Sequence, residues 1–217
     1  MTRQQFPNLD LAERQLAISG RDIFLQVPGK PDEILAAAAN DDASNNVDPY
    51  WGLLWDAAIA MSECLLSRQW PPLRTLELGC GSGLVGIAGL HAGLDVAFTD
   101  LVPDAVQLAT ANAERNGFPS PVGFALDWKQ PLDQRYELLI ASDVLYEASN
   151  HQFLLNVAER MLEDGREFWI GDPGRTIAAD FIKMATDAGW KVELKDADGR
   201  ETLMPARLKF QLIILRR

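Results

Sequence analysis

From Leu73 onward, short apolar runs alternate with longer stretches in which apolar residues recur every three to four positions. LRTLELG, LDVAFTD, PVGFAL, YELLIASD and REFWIGD are too short for helices and rich in β-branched and aromatic residues, so they read as strands. Between them, LVGIAGLHAG, PDAVQLATANAERNG, HQFLLNVAERMLEDG and TIAADFIKMATDAGW carry apolar residues at helical spacing, the second ended by Gly117. Such alternation predicts an α/β fold: a doubly wound, Rossmann-like, mostly parallel sheet with helices on both faces and ligands at the carboxyl ends of the strands. WKVELKD and RLKFQLIIL close the chain as an antiparallel pair.

Upstream, LAISGRDIFLQV alternates at period two around Gly20, the pattern of a hairpin. AAAANDDASNNVD is small and polar, a surface loop. Asp48 and Pro49 then have the types of a helix N-cap and first-turn proline, opening a helix through WGLLWDAAIAMSECLLSRQ. With no internal repeat, residues 1–217 form one expected domain: an N-terminal hairpin and loop extension over 1–47 and a core over 48–217.

Charge narrows the partners. Asp and Glu number 31 against 20 Lys and Arg, a formal net of −11. Nucleic-acid affinity rests largely on cations facing phosphates, so no nucleic-acid partner is expected. No apolar run reaches the length of a membrane span or a signal core, so no membrane partner is expected and a cytoplasmic location is. Cys64 and Cys80 suggest neither a disulfide framework nor, with His91 and His151, a metal cluster, and no metal is assigned.

The chemistry concentrates in TLELGCGSGLVG, Thr75 to Gly86. A strand, a glycine turn and a helix start let the backbone approach a ligand. Gly81, Gly83 and Gly86 have the spacing of a dinucleotide fingerprint, while Glu77, Gly79, Gly81 and Gly83 have that of an S-adenosylmethionine site. Three acidic positions favour the second. Glu77 precedes the turn, where a carboxylate can meet the cofactor's ammonium group. Asp100 ends the second strand, where it can accept ribose hydroxyls. Asp127 and Trp128 end the third, an acceptor for the adenine amine beside a ring that packs on the base. Each residue alone has a structural explanation as ion pair, cap or core; in this order at successive strand ends, they point jointly to the cofactor.

The chain resembles the class I, seven-β-strand methyltransferases over residues 48–217. Within them it is similar to the family 16 protein-lysine methyltransferases, on the D-x-x-Y motif of ASDVLYE and the aromatic segment PYWGLLWDAA. GDPGR at 171–175 is similar to the branch acting on the electron transfer flavoprotein β-subunit. The resemblance implies seven strands with the last antiparallel, S-adenosylmethionine as cofactor, and a protein substrate with an accessible lysine, that β-subunit among the candidates. It implies catalytic roles for Asp143 and Tyr146, cofactor contacts from Trp55, Leu101 and Ser142 besides the motif residues above, and substrate contacts from Trp51, Asp172 and Arg175. A lysine amine must lose a proton before it attacks, which from pKa ~10.4 to pH 7 costs roughly 4.6 kcal/mol. Asp143 would orient that amine and take a proton directly or through water. The competing readings are a small-molecule N-methyltransferase on the same pocket, a cofactor-binding scaffold without catalysis, and a nicotinamide oxidoreductase.

Overall fold

The computed structural model of the chain describes residues 10–30 and 49–217. The 36–47 loop and the Asp48 cap expected from the sequence lie outside these residues.

The N-terminal hairpin is longer than its alternation suggested: β1 (Leu11–Ile18) pairs antiparallel with β2 (Arg21–Pro28) around Ser19 and Gly20, both at positive φ. A short 3-10 turn follows at Pro49–Gly52, and α1 spans only Asp56–Leu66. The helix expected from Pro49 therefore starts late. Trp55 is extended (φ −94°, ψ 141°), and the Trp51 carbonyl lies 3.0 Å from where a Cβ on Gly81 would sit, so tertiary contact sets the turn.

The core then alternates as expected: β3 (Arg74–Leu78), α2 (Leu84–Ala92), β4 (Asp95–Asp100), α3 (Pro103–Arg115), β5 (Val122–Ala125), β6 (Tyr136–Ser142), α4 (His151–Met161), β7 (Leu162–Asp172) and α5 (Ala178–Asp187). β8 (Lys191–Lys195), β9 (Glu201–Thr202) and β10 (Gln211–Arg216) complete it. α4 stops at Met161 rather than running to Gly165, because Leu162 already pairs with Tyr136 across a bulge that leads into the main register.

The main sheet has eight strands in the order β5-β4-β3-β6-β7-β10-β8-β9. The two-residue β9 adds one strand to the expected seven. β3, β4, β5, β6 and β7 pair in parallel, and β10 inserts antiparallel between β7 and β8. Side chains alternate across the sheet, as period two requires. Leu138, Ile140, Leu212 and Ile214 face α1, α2, α3 and the hairpin, while Leu139, Ala141, Ile213 and Leu215 face α4 and α5. Two asparagines of α3 hold the hairpin: Asn112 bonds both the N–H and the carbonyl of Gln26, and Asn116 does the same at Phe24. Each amide side chain replaces a strand edge that β2 lacks. The reversal of strand order falls between β3 and β6, so their carboxyl ends define the crevice where ligands of such sheets bind.

Candidate functional site

The turn after β3 forms the floor of that crevice. Gly79, Gly81 and Gly83 have φ of 69°, 50° and 85°, a region where a side chain is strained. A Cβ on Gly83 would sit 2.8 Å from the Ala109 Cβ, so α3 packs directly on the turn. A Cβ on Gly79 would meet Val144 at 3.2 Å and the Trp128 ring at 3.6 Å. The turn, the strand end carrying Asp127 and Trp128, and the loop carrying Asp143 thus share one wall. Burial pushes the Cys80 thiol up, so this thiol inside the turn is no nucleophile near neutral pH.

Asp100 ends β4 with both carboxylate oxygens engaged. Oδ2 accepts the Gly81 N–H at 3.0 Å and Oδ1 the Val102 N–H at 3.0 Å. It ties the glycine turn to the start of α3. Leu101 beside it is 51% exposed, an apolar surface at the same strand end. Asp127 and Trp128 are half-buried, and Asp127 Oδ1 accepts the Lys129 N–H at 2.9 Å. Ser142 ends β6 with a buried hydroxyl that has no protein partner, an orphan polar atom at the crevice wall.

Glu77 sits elsewhere than expected. As the alternate residue of β3 to Leu76 and Leu78, it points beneath α2 and is 3% exposed. Its Oε1 accepts the Gly86 N–H at 3.1 Å, while Oε2 is buried without a partner. A Cβ on Gly86 would lie 2.4 Å from Oε2, so the last glycine of the fingerprint makes room for this carboxyl. Burial raises its pKa from 4.5 to about 8. The group braces the turn from behind rather than offering a charge at its surface.

Opposite the glycines lies the D-x-x-Y segment. Asp143 has φ 57°, is buried, and donates its N–H to the Gly171 carbonyl at 2.8 Å. A left-handed aspartate is strained, and such strain gathers at sites where geometry matters. Its Oδ1 accepts the Arg175 Nε–H at 2.6 Å, and the guanidinium lies 5.9 Å from the Tyr146 ring centre. Tyr146 is 36% exposed and meets Tyr50 edge-on at 6.4 Å, and Tyr50 meets Trp55 at 6.2 Å. These three rings line an open rim. The ring facing Tyr146 belongs to Tyr50, while Trp51, expected to contact substrate, is half-buried and sets its carbonyl against the glycine turn.

Asp172 is also placed differently. It is fully buried, and Oδ1 accepts the N–H groups of Gly174 and Arg175 and the Gln211 amide at 2.8, 2.9 and 3.0 Å. It shapes the turn that presents Arg175 and cannot touch a substrate. Tyr50 and Gln211 were not singled out in the sequence. Tyr50 shared its stretch with two tryptophans, and a lone glutamine on a final strand carries no signal.

The glycine cradle, the capped acid at β4 and the orphan hydroxyl at β6 fit S-adenosylmethionine, and the sheet order with an antiparallel β10 is that of a Rossmann-like methyltransferase. A crystal structure of a TehB-like methyltransferase from Corynebacterium glutamicum shares the fold at a TM-score of 0.61 with 18% identity, over 88% of this chain and 99% of that one. Residues 39–187 match the family described as lysine methyltransferase, and the chain belongs to that family. It is 31% identical over 135 residues to an electron transfer flavoprotein beta subunit lysine methyltransferase of Xenopus laevis, covering 59% of this chain and 54% of that protein. Over 121 residues it is 31% identical to a protein N-lysine methyltransferase of Danio rerio, covering 50% and 54%. The chain spans about half the length of these curated relatives.

Proposed function

We propose that this chain is an S-adenosylmethionine-dependent methyltransferase acting on lysine ε-amines of a protein. The observation that carries the reading is Asp143 beside the glycine turn, joined through Val144 to Gly79, under an open rim of Tyr50, Trp55 and Tyr146. An exposed aromatic rim over a buried carboxylate suits a long aliphatic stem with a polar end, entering from a protein surface. The cofactor, when bound, supplies a methyl group already activated on a sulfonium.

The chain's own part is positioning and electrostatics. Gly79, Gly81 and Gly83 would let the backbone close on the cofactor, and Asp100 would accept its ribose hydroxyls. Leu101 and Trp128 would flank its base, with Asp127 as the acceptor for the exocyclic amine. Asp143 accepts a hydrogen bond from the ε-amine and aims its lone pair, while Tyr50 and Tyr146 flank the stem. The electron transfer flavoprotein β-subunit is the first substrate to try, on the strength of the names of relatives from Xenopus laevis and Mus musculus.

The test is transfer of labelled methyl from S-adenosylmethionine to native protein extract, then mass spectrometry of the labelled band. A methylated lysine on a protein supports the reading. Label found only in the small-molecule fraction overturns it.

A further inference from the structure

The guanidinium of Arg175 is paired with the buried carboxylate of Asp143. Its Nε–H bonds Oδ1 at 2.6 Å, with the aspartate side chain 5% exposed and the arginine 31%. The arginine is not there by chance of a flexible surface chain. Its backbone N–H is fixed by the buried Asp172, which is held in turn by Gln211 from β10. Gly174 is pinned from the other side: a Cβ there would lie 2.5 Å from the Lys209 carbonyl, and the Gly174 carbonyl accepts the Leu208 N–H at 3.0 Å. Elements from three parts of the chain thus converge to aim one cation at one carboxylate.

We propose that Arg175 is a positioning residue that neutralises Asp143, so that the site accepts the substrate lysine as a free amine instead of trapping it as an ammonium. This rests on the lysine reading above. An unpaired buried carboxylate binds an ammonium strongly and raises its pKa, which opposes attack because a protonated nitrogen has no lone pair. With Arg175 paired, Asp143 still accepts an N–H from the neutral amine through its remaining lone pairs. The ε-ammonium gives its proton to water before transfer. The nitrogen lone pair then forms the N–C bond as the methyl's bond to sulfur breaks, and the product's surplus N–H proton also leaves to water.

The charged and titratable groups acting on the guanidinium are Asp143, Asp172 and Tyr146, and they hold it firmly protonated, the hydrogen bond it donates to Asp143 foremost. Lys209 approaches the turn through its backbone. Gln211, the contact from β10, is neutral. Among the described residues, Arg175 is the cation bonded to Asp143.

The experiment compares wild type, Arg175→Gln and Arg175→Lys on the acceptor protein found in the extract test, following methylation rate against pH. An opposite charge within ~4–6 Å shifts a pKa by roughly one to three units. The acid limb of Arg175→Gln is therefore expected to move up by about one to two pH units. Near neutral pH this is roughly a ten- to hundredfold fall that closes as pH rises. Arg175→Lys keeps the charge and should keep the wild-type limb. A second readout needs neither turnover nor an acceptor: n-butylammonium titrated against each protein by NMR should bind Arg175→Gln at least about tenfold tighter than wild type. Equal losses at every pH in both variants, or butylammonium binding unchanged by Arg175→Gln, would overturn the proposal. Failure of wild type to label any protein while butylammonium binding still changes would sink the lysine-substrate reading and leave the role of Arg175 at Asp143 standing.

Discussion

The two ends of the sheet carry charge in opposite ways. At the amino end, Arg74 meets Glu163 at 2.7 Å, Arg166 meets Glu137 at 2.7 Å, and Arg216 bridges Glu167 and Glu193. Carboxylates and guanidiniums alternate there, and most stand partly in water. At the carboxyl end, Glu77, Asp100, Asp143 and Asp172 are all buried, and Arg175 is bonded to Asp143. Backbone N–H groups hold the other three acids instead. The amino end is a set of paired, partly exposed charges, whereas at the carboxyl end Asp100, Asp143 and Asp172 are buried carboxylates and Glu77 is pushed towards its neutral form. A ligand bearing a sulfonium and an ammonium completes that end.

Replacing Asp143 should break the contrast most sharply. A group that aims the attacking amine is worth roughly 10²-fold in rate. Asp143→Ala should lose methyl transfer on that scale while keeping cofactor affinity close to wild type, as single-turnover assays and calorimetry with S-adenosylmethionine will show. Asp143→Asn keeps the shape, so a comparable loss there assigns the effect to charge. Near-full turnover in Asp143→Ala would remove the lysine mechanism.

Asp100 ranks next. It bonds two N–H groups of the cradle and is placed to accept ribose hydroxyls, and hydrogen bonds to charged groups are worth ~1.5–3 kcal/mol each. Asp100→Ala should weaken cofactor binding by at least tenfold and lower the melting temperature. Asp100→Asn, which retains one acceptor oxygen, should lose less of both. Equal affinities in the two variants and wild type would confine Asp100 to capping α3.

How far this difference between the ends can be read in sequence follows from distance along the chain. The alternation of β3 to α5 is legible because each element's apolar period is local. The burial of Glu77 was legible too, in hindsight: it lies between Leu76 and Leu78, and period two sends it to the opposite face, under α2. The late start of α1 was not, since PYWGLLW satisfies a helical pattern while its conformation answers to Gly81, far downstream. Nor were the pairings that finish the site. Arg175 finds Asp143 across 32 positions and Gln211 finds Asp172 across 39, and only the sheet order brings them together.

Glu77 gives a smaller effect with a definite sign. Its carboxyl rises from 4.5 to about 8 through burial, so between those values the folded chain holds a proton that the unfolded chain has released. Its contribution to stability is full below pH 4.5 and is lost as pH rises towards 8, with a slope of at most about 1.4 kcal/mol per pH unit. Thermal unfolding of the cofactor-free protein across that window should show the decline, and Glu77→Gln should flatten it. A wild-type profile that rises with pH while the variant's does not would mean that the carboxylate is charged and paired in the fold.

The smallest effect belongs to the amino end. Arg74 and Glu163 are 53% and 31% exposed, and surface pairs of this kind are worth about 0–1 kcal/mol. Arg74→Ala should lower stability within that range, more at low salt than at high salt because exposed charges are screened. Its backbone N–H also bonds Glu137, an interaction the substitution leaves in place. Rate and cofactor affinity should match wild type, since Arg74 begins β3 and the glycine turn lies beyond its other end. A rate loss of tenfold or more in Arg74→Ala, with stability hardly changed, would show that the two ends of the sheet are coupled and that the division of charge between them is not a division of labour.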